Sequence, residues 1–452
     1  MYDIAIIGGG AAGLMAAISA AGHGAHTVIV EHNSRVGKKL LVTGNGKCNF
    51  TNELQEEACY YSADPAFVMS ALGRFGHKET VRFFEELGVL AVSKNGYCYP
   101  NSGQASSILD ILRLEARRLN VEEFLGEHVV SVTKKDCFYI NTEKTQILAT
   151  SCILATGGKA AVQTGSDGSG YRLAKKFGHS VTGLVPALVP LTSEQKDLKM
   201  LAGVRTKAKL HLLVAGEEKS VEEGELQLTA YGISGIPVFQ FSRTAAYGLS
   251  DKKKVTVQID FLPDRSLEWL QEELYKRKKG RHKRHTMEEA MTGVLNKKLV
   301  EFLRKQSGIS GTELMETISD HQLEKFTLSI KTFPMNINGT KPFANAQVTA
   351  GGVDLSQVKE RTFESRLVNG LYFAGEILDV DGICGGYNLQ WAWTSGYLAG
   401  QAAAMDCKTE YPERSRKTEH PQRSRKTEHP ERNRKTEHSE KFHCDQKRRS
   451  RK

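Results

Sequence analysis

The sequence lacks any pair of cysteines separated by two residues. Its eight cysteines lie scattered through 452 residues, an arrangement that argues against zinc sites, thioredoxin-type redox pairs and iron–sulfur ligation. Free cysteines of this kind are typical of proteins in a reducing compartment. We therefore expect a cytoplasmic protein without a bound metal.

Long apolar stretches are also missing. No run reaches the roughly 20 residues that a membrane-spanning helix needs, so we expect no membrane span. Residues 1–22 are apolar, but they contain Asp3 and a glycine cluster and have no basic segment, which excludes a secretory signal peptide. With 40% hydrophobic and 25% charged residues, the composition is that of a soluble globular protein of about two or three domains.

Positive charge is concentrated near the C terminus. Residues 412–452 hold 15 Lys or Arg against 7 Asp or Glu, in a chain whose net charge is +10. A nine-residue unit repeats at 412–420, 421–429 and 430–438 without apolar residues. Ordering it would cost entropy with no burial to offset the cost, so we predict a disordered basic repeat tail at 407–452. A solvated extension is favoured over a nucleic-acid tether, because the glutamates dilute the positive field.

The first 31 residues carry the pattern of a dinucleotide-binding unit. An apolar run, Tyr2–Ile7, precedes a glycine turn, a helix-forming stretch and a second apolar run that ends at Glu31. The spacing fits G-x-G-x-x-G with an acid about twenty residues further on. Gly8 permits the tight turn, Gly10 lets a pyrophosphate approach the backbone, and Gly13 allows close helix–strand packing. Glu31 would accept hydrogen bonds from ribose hydroxyls and repel a 2′-phosphate, so we predict a dinucleotide with an unphosphorylated adenosine ribose.

The order of predicted elements indicates one nucleotide-binding domain interrupted by an insertion. Strands and helices alternate at first, then short strands follow one another, then a helical region precedes the return of the α/β pattern. We predict the nucleotide-binding domain in two parts, 1–190 and 345–406, around an inserted domain at 191–344 that has short strands at about 191–262 and helices at about 263–330.

Three features favour FAD over a nicotinamide dinucleotide as the bound cofactor. Residues 37–39 (GKK) suit a chain that continues along the diphosphate toward a flavin, and residues 155–158 (ATGG) leave room beside the first glycine turn. Gly375 and Glu376 would reach the ribityl and pyrophosphate region. Residues 385–388 (GGYN) open a helix whose N-terminus would stabilise negative charge on the flavin pyrimidine.

The stretches GGGAAGL, TGNGKCNFTN, ATGG and LYFAGEILDVDGICGGYNLQWAW together resemble bacterial NAD(P)/FAD-dependent, aminoacetone-oxidase-like flavoproteins. That family includes 3-dehydro-bile acid Δ4,6-reductase, and the resemblance covers about residues 1–405. It implies an α/β fold with a Rossmann-like, two-dinucleotide-binding-type FAD domain, interrupted by an inserted β-barrel plus a small helical domain. It also implies non-covalent FAD. Related proteins often have Asp where this chain has Glu376, which is one methylene longer.

The resemblance also implies which residues contact FAD. They are Gly8, Gly10, Gly13, Glu31, Lys39, Asn45, Gly375, Glu376 and Asn388, with Val129 at the position whose backbone contacts adenine. The neighbouring motif residues that we add as cofactor-binding are Ala11, Ala12, Ala155, Gly157, Gly386 and Leu389.

The function that the resemblance implies is reduction of conjugated C=C bonds in a 3-oxo steroid, by an FAD-dependent oxidoreductase acting on CH–CH groups. The setting would be bile acid 7-dehydroxylation, with NADH or NADPH as a transient electron donor. Residues 165–170 are glycine-rich but lack a strand-end acid at the right distance, so we predict a turn beside the flavin rather than a second dinucleotide site. Two alternatives stay open: an oxidase that uses O₂ and an amine or aminoketone, and a flavin-containing RNA-binding or RNA-modifying protein.

Reduction of an enone needs a donor for the oxygen that becomes negative and a proton for the α-carbon. Candidates for these roles are Lys47, Asn49, Tyr231 and Tyr387, each of which also suits a purely structural role. Cys48 and Cys384 are interpreted as packed small side chains, because no partner cysteine lies nearby.

A second basic stretch lies inside the predicted insertion, at residues 276–285 (KRKKGRHKRH). We interpret it as a solvated helix end and loop, since no aromatic residues interleave with the cations for base stacking. Nucleic acid is therefore an unexpected partner, and a small-molecule enone or steroid is the expected one. The sequence leaves the oligomeric state open.

Overall fold

The computed structural model describes residues 1–410, with side chains for residues 1–408. Most of the tail predicted at 407–452 therefore lies outside the described residues. Residues 407–410 differ from the prediction, because they continue the last helix. The half-buried Cys407 explains this difference, since its Sγ lies 3.6 Å from the Oγ of Ser151 in the core sheet.

Most strands of the described residues belong to two seven-stranded sheets. The strands are β1 (Tyr2–Ile7), β2 (Thr27–Glu31), β3 (Thr51–Asn52), β4 (Tyr60–Tyr61), β5 (Ala91–Lys94), β6 (Tyr97–Pro100), β7 (Glu122–Leu125), β8 (Val129–Lys134), β9 (Phe138–Thr142), β10 (Gln146–Leu154), β11 (Val185–Ala187), β12 (Leu191–Thr192), β13 (Arg205–Val214), β14 (Glu217–Thr229), β15 (Gly232–Ser234), β16 (Val255–Asp260), β17 (Phe333–Ile337), β18 (Gly339–Thr340), β19 (Val348–Ala350), β20 (Leu371–Phe373) and β21 (Asp381–Gly382).

Most helices fall where the sequence pattern predicts helical segments. The helices are α1 (Ala11–Gly22), α2 (Pro65–Arg74), α3 (His77–Glu86), α4 (Ala105–Arg118), α5 (Ser169–Lys176), α6 (Ile236–Ser250), α7 (Leu267–Lys279), α8 (Met287–Ala290), α9 (Lys297–Gln306), α10 (Asp320–Lys331) and α11 (Tyr387–Glu410). However, α6 lies inside the stretch 191–262 that was predicted to form strands. Among the residues that the structure describes, no helix is long and apolar enough to cross a membrane.

A mainly parallel sheet organises the first part of the chain. Its strands follow the order β7-β2-β1-β10-β9-β8, and β20 pairs with the end of β10. The strands β7, β2, β1, β10 and β20 are parallel, whereas β8 and β9 form an antiparallel extension. Every residue of β2 is buried, as expected for a parallel strand covered on both faces. The predicted Rossmann-like α/β class is thus confirmed.

The first and last helices pack on each other at very short range. A Cβ on Gly396 would lie 2.5 Å from the carbonyl oxygen of Ala12, and one on Gly400 would lie 2.3 Å from that of Ala16. Only glycine allows backbones to approach this closely. The packing of α11 on α1 therefore joins the beginning of the chain to residues about 390 positions later.

An antiparallel sheet organises the segment between residues 191 and 340. Its order is β17-β16-β13-β14-β15-β12-β18, and only Asn338 separates the end strands β17 and β18 along the chain. Because the two edges are joined covalently, the sheet curls into a barrel-like ring. We predicted that the barrel strands end near residue 262, but β17 and β18 come after the helical region. β18 has only two residues, and Pro334 inside β17 argues against a strand there in the sequence.

The inserted sheet has its own hydrophobic core. Buried side chains of β13 and β16 pack with those of α7, α9 and α10, for example Leu210, Val257, Leu274, Phe302 and Phe326. The strands β11 and β19 pair with each other just before and just after this segment. The chain therefore leaves the first sheet and returns to it along a two-stranded ribbon, and the exact domain boundaries stay a prediction.

Candidate cofactor and substrate site

A cavity of about 630 Å³ opens at the carboxyl ends of β1, β2 and β10. Gly8 lines it just after β1, Glu31 lines it at the end of β2, and Ala155 lines it just after β10. Ligands of open α/β sheets bind in the crevice outside the carboxyl ends of the strands. The fold thus places the cavity where a dinucleotide is expected.

The three glycines of the first turn have different surroundings. Gly8 has a φ of +102°, and a Cβ there would lie 2.5 Å from the carbonyl oxygen of Ala155. A Cβ on Gly13 would lie 1.9 Å from the carbonyl oxygen of Gly8, so helix and strand leave no room for a side chain. At Gly10, which lines the cavity, no atom of the described chain lies within 4 Å of the Cβ position. A side chain at Gly10 would fill an open cradle that suits a diphosphate.

A helix N-terminus meets the cavity at each of two places. α1 starts without a side-chain cap, and its first residues Ala11 and Ala12 line the cavity. α11 starts after Gly386, and Asn388 and Leu389 in its first turn line the cavity as well. The first N–H groups of a helix have no intrahelical partner and lie at the positive end of its dipole. Both places therefore favour negatively charged groups of a ligand.

The carboxylate of Glu31 is fixed in position at the end of β2. One of its oxygens accepts a hydrogen bond from the Gly9 N–H at 2.7 Å. The other accepts from the backbone N–H of Asn33 at 2.8 Å and from its side-chain amide at 2.7 Å. Oε1 already accepts two hydrogen bonds, whereas Oε2 accepts one and retains lone-pair capacity, because a carboxylate accepts up to about four hydrogen bonds. A buried, oriented acceptor of this kind suits the hydroxyls of an adenosine ribose.

An ion pair joins the two parts of the domain at the cavity wall. Lys39 Nζ lies 2.7 Å from Glu376 Oε2, and both residues line the cavity. The other oxygen of Glu376 accepts a hydrogen bond from the Thr349 N–H at 2.9 Å. A lone carboxylate here would repel a diphosphate, and the pairing with Lys39 offsets that repulsion.

The loop that leads into α11 is held by its own helix. The side-chain amide of Asn388 donates to the Gly382 carbonyl and accepts from the Gly382 N–H, both at 2.8 Å. Gly385 and Gly386 have φ angles of +140° and +96°, a region that disfavours other residues. A Cβ on Gly386 would also lie 2.7 Å from the carbonyl oxygen of Thr51. The second glycine turn is therefore built for close backbone approach, as the first one is.

A buried carboxylate just before this loop pairs with the insertion. Asp381 Oδ1 lies 3.0 Å from Nε of Arg243, a residue of α6. The Arg243 guanidinium lies 4.5 Å from the ring centroid of Tyr61 and 4.9 Å from that of Tyr247. Burial, the largest cause, raises the pKa of the Asp381 carboxyl to about 7 against the opposing effect of Arg243. The ion pair links α6 to the strand that enters the second glycine turn.

Nearly all of the sequence-predicted cofactor residues meet at the cavity. Gly13 and Gly375 are the two that do not line it, and both have packing roles: Gly13 against Gly8, and Gly375 against Ala12. The predicted residues that line the cavity are Gly8, Gly10, Ala11, Ala12, Glu31, Lys39, Asn45, Val129, Ala155, Gly157, Glu376, Gly386, Asn388 and Leu389. Which atoms of a ligand each of them contacts stays a prediction.

Most of the four catalytic candidates do not line the cavity. Asn49 lines the cavity, whereas Lys47 is exposed and outside it. Tyr231 lies in the insertion, where its ring centroid is 4.3 Å from Lys341 Nζ. Tyr387 is 4% exposed and its ring packs edge-on against Tyr60, outside the cavity lining. The structure thus brings only Asn49 of these four to the cavity.

The two cysteines differ from each other in their surroundings. Cys48 is fully buried, and burial raises the pKa of its thiol to about 12, as expected for a packed side chain. Cys384 is half-buried and lines the cavity, and its backbone N–H donates to Oε1 of Gln240 in α6 at 2.8 Å. Packing alone therefore does not describe Cys384.

Several cavity residues escaped the sequence reasoning. Tyr97 and Tyr99 reach the cavity from β6, and Ile236 and Phe239 reach it from the first turns of α6. The tyrosines carry a recognisable signal, because Y-C-Y in a strand places both rings on one face. The α6 residues carry none, since their position depends on how the insertion folds back.

Buried polar atoms with no partner indicate what the cavity is missing. Within the described residues, Asn49 Oδ1, Ser166 Oγ and Trp391 Nε1 are buried without a hydrogen bond, and all three residues line the cavity. Buried polar atoms in proteins almost always have partners. These atoms and the open cradle at Gly10 fit a ligand with many polar groups, such as a dinucleotide.

The sequence comparisons agree with this geometry. A 3-dehydro-bile acid delta(4,6)-reductase from Clostridium scindens is 44% identical over 407 residues, which cover 89% of this chain and 99% of the relative. A ribosomal RNA dihydrouridine synthase from Escherichia coli is 32% identical, covering 88% of this chain and 97% of the relative. The protein of the same name from Haemophilus influenzae is 34% identical, covering 87% and 96%. The pattern that describes the HI0933-like protein Rossmann domain matches residues 2–402, so the chain belongs to the HI0933-like protein Rossmann domain family.

Proposed function

We propose that this protein is an FAD-dependent oxidoreductase that reduces a carbon–carbon double bond conjugated with a carbonyl group. The observation that carries the proposal is the continuity of one cavity from the first glycine turn, at Gly10, to the second, at Gly385 and Gly386. A long cofactor in this cavity would have a helix N-terminus beside each glycine turn. The names of the relatives support the reaction class, since each of them describes reduction of such a bond.

The residues present would hold each part of FAD. Glu31 would accept hydrogen bonds from the ribose, and the N–H groups of Ala11 and Ala12 would donate to the diphosphate. Gly386 and Leu389 at the start of α11 would lie against the pyrimidine of the ring. When bound, FAD supplies the hydride chemistry that no side chain provides.

The chain must also direct charge and protons during the reduction. A hydride joins the β-carbon of the acceptor and a proton joins its α-carbon, while negative charge grows on the carbonyl oxygen. Asn49 and Tyr97 line the cavity and would donate hydrogen bonds to that oxygen. Burial raises the pKa of Tyr99 and of Cys384, so both are protonated at neutral pH. Both line the cavity, and one of them would supply the single proton to the α-carbon.

The first candidate substrate is a 3-oxo steroid with Δ4 and Δ6 double bonds, in line with the name of the C. scindens relative. Exposed apolar side chains at the cavity edge support it. Val42 and Ile236 line the cavity although they are 60% and 61% exposed, and Phe239 lies beside them on the lining. Apolar side chains at an opening suit a flat apolar ligand.

The second candidate substrate is a uracil base in RNA. Its C5=C6 bond is conjugated with the C4 carbonyl, so its reduction to dihydrouracil uses the same hydride and proton additions. Two relatives carry the name ribosomal RNA dihydrouridine synthase, and they match almost their whole length. In the described part of the chain, Lys279, Arg281, Lys283 and Arg284 of the insertion are exposed and form no ion pair, which also favours this candidate.

The electron donor and the acceptor are testable together. The purified protein is mixed anaerobically with NADH or NADPH, then with an enone panel that includes 3-oxo-Δ4 steroids, and flavin absorbance is followed by stopped flow. The proposal requires fast reduction by one nicotinamide, slow reoxidation by air and fast reoxidation by an enone. Peroxide formation at the turnover rate would instead establish the alternative, an oxidase of amines or aminoketones.

The two substrates are separated by a parallel assay with rRNA that contains unmodified uridine. Dihydrouridine in the digested RNA, measured by mass spectrometry, with no steroid product would replace the first candidate by the second. Failure of both acceptors with a fully reducible flavin would reject the reaction class.

A further inference from the structure

The end of α7 and the loop after it carry an unusual concentration of positive charge. Residues 276–285 contain seven Lys or Arg and no acid. Three of these cations have acidic partners, since Lys276, Arg277 and Lys278 pair with Glu272, Glu273 and Asp320 respectively. In the part of the chain that the structure describes, the other four form no ion pair and are exposed: Lys279, Arg281, Lys283 and Arg284. These four are called the cationic loop here.

The backbone under the cationic loop is fixed. The carbonyl of Lys283 accepts a hydrogen bond from the Glu316 N–H at 3.0 Å, and the carbonyl of His285 accepts from the Met315 N–H at 2.8 Å. Below the loop, Arg277 binds the carbonyl of Ala290. The four charges are therefore presented on an ordered surface, which lowers the conformational entropy that a ligand must remove.

Aromatic rings accompany the cations on the outer face of α7. Tyr275 is 44% exposed, and Lys279 Nζ lies 4.2 Å from its ring centroid. Trp269 is 37% exposed, and the Arg265 guanidinium lies 4.9 Å from its ring. The sequence argument against nucleic acid considered only residues 276–285, and the rings lie just before that stretch. Exposed rings among cations are the combination that single-stranded nucleic acids use, by stacking bases on the rings and pairing phosphates with the charges.

The imidazole of His282 is surrounded by the cations of the loop. His282 lies within the loop, and its Nδ1 is 3.1 Å from that of His285. Its pKa is lowered, first by desolvation and then by the charges of Arg281, His285 and Arg277. An anion that binds beside this imidazole would favour the protonated form and raise its pKa.

We propose that the cationic loop, with Tyr275 and Trp269, binds the phosphate backbone and bases of single-stranded RNA. This inference rests on the second candidate function and names the surface that would hold the nucleic acid. An anionic membrane is the less suitable partner, because a helix that binds membranes exposes a continuous apolar face. The apolar side chains Leu270 and Leu274 of α7 are buried in the core of the insertion.

The test compares two full-length quadruple variants with the wild type. One is Lys279→Gln, Arg281→Gln, Lys283→Gln and Arg284→Gln. The matched control removes two pairs of exposed cations from elsewhere in the insertion, which form no ion pair in the described chain: Lys196→Gln, Lys199→Gln, Lys252→Gln and Lys254→Gln. Binding of a labelled single-stranded RNA is measured by fluorescence anisotropy between about 50 and 200 mM salt, and thermal unfolding checks that both variants are folded.

The loop variant should bind RNA more weakly. The slope of log K against log salt should become less negative by about 3, at roughly 0.7 per phosphate contact. The control should keep the wild-type slope within one unit, and RNA should raise the pKa of His282, followed by NMR. Equal slopes for the two variants, or binding to phosphatidylserine vesicles in place of RNA, would overturn the inference. FAD content and enone reduction should be the same in both variants, so failure here is distinct from failure of the reaction class.

Discussion

At the scale of single residues, the glycines of the first turn have two different roles, although one sequence motif requires them both. Gly10 faces open cavity space, whereas Gly13 faces the carbonyl oxygen of Gly8. Gly10 also has an extended backbone, with φ −77° and ψ −165°, which any residue adopts. The first glycine of this pair therefore serves a ligand and the second serves the fold.

Substitution separates the two roles. Gly10→Leu should leave the apoprotein's free energy of unfolding near the wild-type value but abolish copurified FAD, because the new side chain fills the cradle. Gly13→Ala should destabilise the apoprotein by about 1–3 kcal/mol through overpacking against backbone. Urea unfolding of FAD-free protein and the ratio of absorbance at 450 and 280 nm measure the two effects. An apoprotein equally destabilised by both changes would contradict the assignment.

Asp381 gives a pH dependence whose sign follows from its burial. Its pKa of about 7 in the fold exceeds the roughly 3.9 of an unfolded aspartate. The folded state therefore binds the proton of Asp381 more tightly than the unfolded state does. The free energy of unfolding should decrease as pH rises from about 4 to about 7. Above pH 7 the carboxyl is ionised in both states, so its contribution to the free energy of unfolding no longer changes with pH.

Asp381→Asn removes this titration. Relative to the wild type, its free energy of unfolding should increase between pH 5 and about pH 7 and then level off. The exposed Asp264, which pairs with Lys207 at the surface, provides the control Asp264→Asn, whose difference from wild type should change much less. Urea unfolding across this pH range measures both, and a flat difference for Asp381→Asn would be inconsistent with a buried carboxyl that takes up a proton.

A site residue could be predicted from the sequence when its role depends on residues close to it in the chain. Gly8, Gly10 and Glu31 belong to one strand–turn–helix–strand unit, so spacing alone reveals them. Ser166 and Trp391 reach the cavity only through tertiary packing, and neither has a sequence signal that marks an unpartnered polar atom. Phe239 could not be predicted from the sequence either, because the path of α6 over the cavity depends on the folded insertion.

At the scale of elements, the pair α1 and α11 positions both glycine turns. Each helix starts at the cavity, and the two pack with backbone contact at Gly396 and Gly400. The two helices were predictable because each follows a glycine-rich turn, whereas β17 contains Pro334 and β18 has only two residues, so neither strand was predictable.

Substitution at this contact should move the helices apart. Gly400→Ala should destabilise the protein by about 1–3 kcal/mol and weaken FAD retention, because the added methyl would lie 2.3 Å from the Ala16 carbonyl oxygen. Gly73→Ala in α2 is the control: no described atom lies within 4 Å of its Cβ position, so it should stabilise by about 0.4–1 kcal/mol. Thermal unfolding and FAD content report both, and similar behaviour of the two variants would refute the close-packing argument.

At the scale of the whole molecule, the cavity draws on three distant parts of one chain. Gly8 and Gly10 of the first glycine turn, Ile236 and Phe239 of α6, and Gly385 and Gly386 of the second glycine turn all line it. The fold class was predictable because the first unit is local and the interruption changes the period of the hydrophobic pattern. The inserted barrel was predicted as well, but its closing strands were not, since β17 and β18 follow the helical region and pair with β16 and β12.

Because the cofactor would bridge these parts, it should stabilise the whole chain by binding the folded state alone. FAD at about 100 times its Kd should add roughly 2.7 kcal/mol to the free energy of unfolding. FMN, which lacks the adenosine half that Glu31 would hold, should add much less at the same concentration. Differential scanning calorimetry of the apoprotein with each flavin measures this, and equal stabilisation by FMN would contradict the assignment of the β2 end to adenosine.

The central claim is tested most directly by anaerobic titration of the purified, reduced holoprotein with a matched pair of ketones. One ketone has a double bond conjugated with its carbonyl, and the other is the same molecule with that bond saturated. The account predicts that the flavin absorbance returns stoichiometrically with the first ketone and stays bleached with the second. A protein that binds no flavin, or a reduced flavin that the conjugated and saturated ketones reoxidise equally, would contradict it.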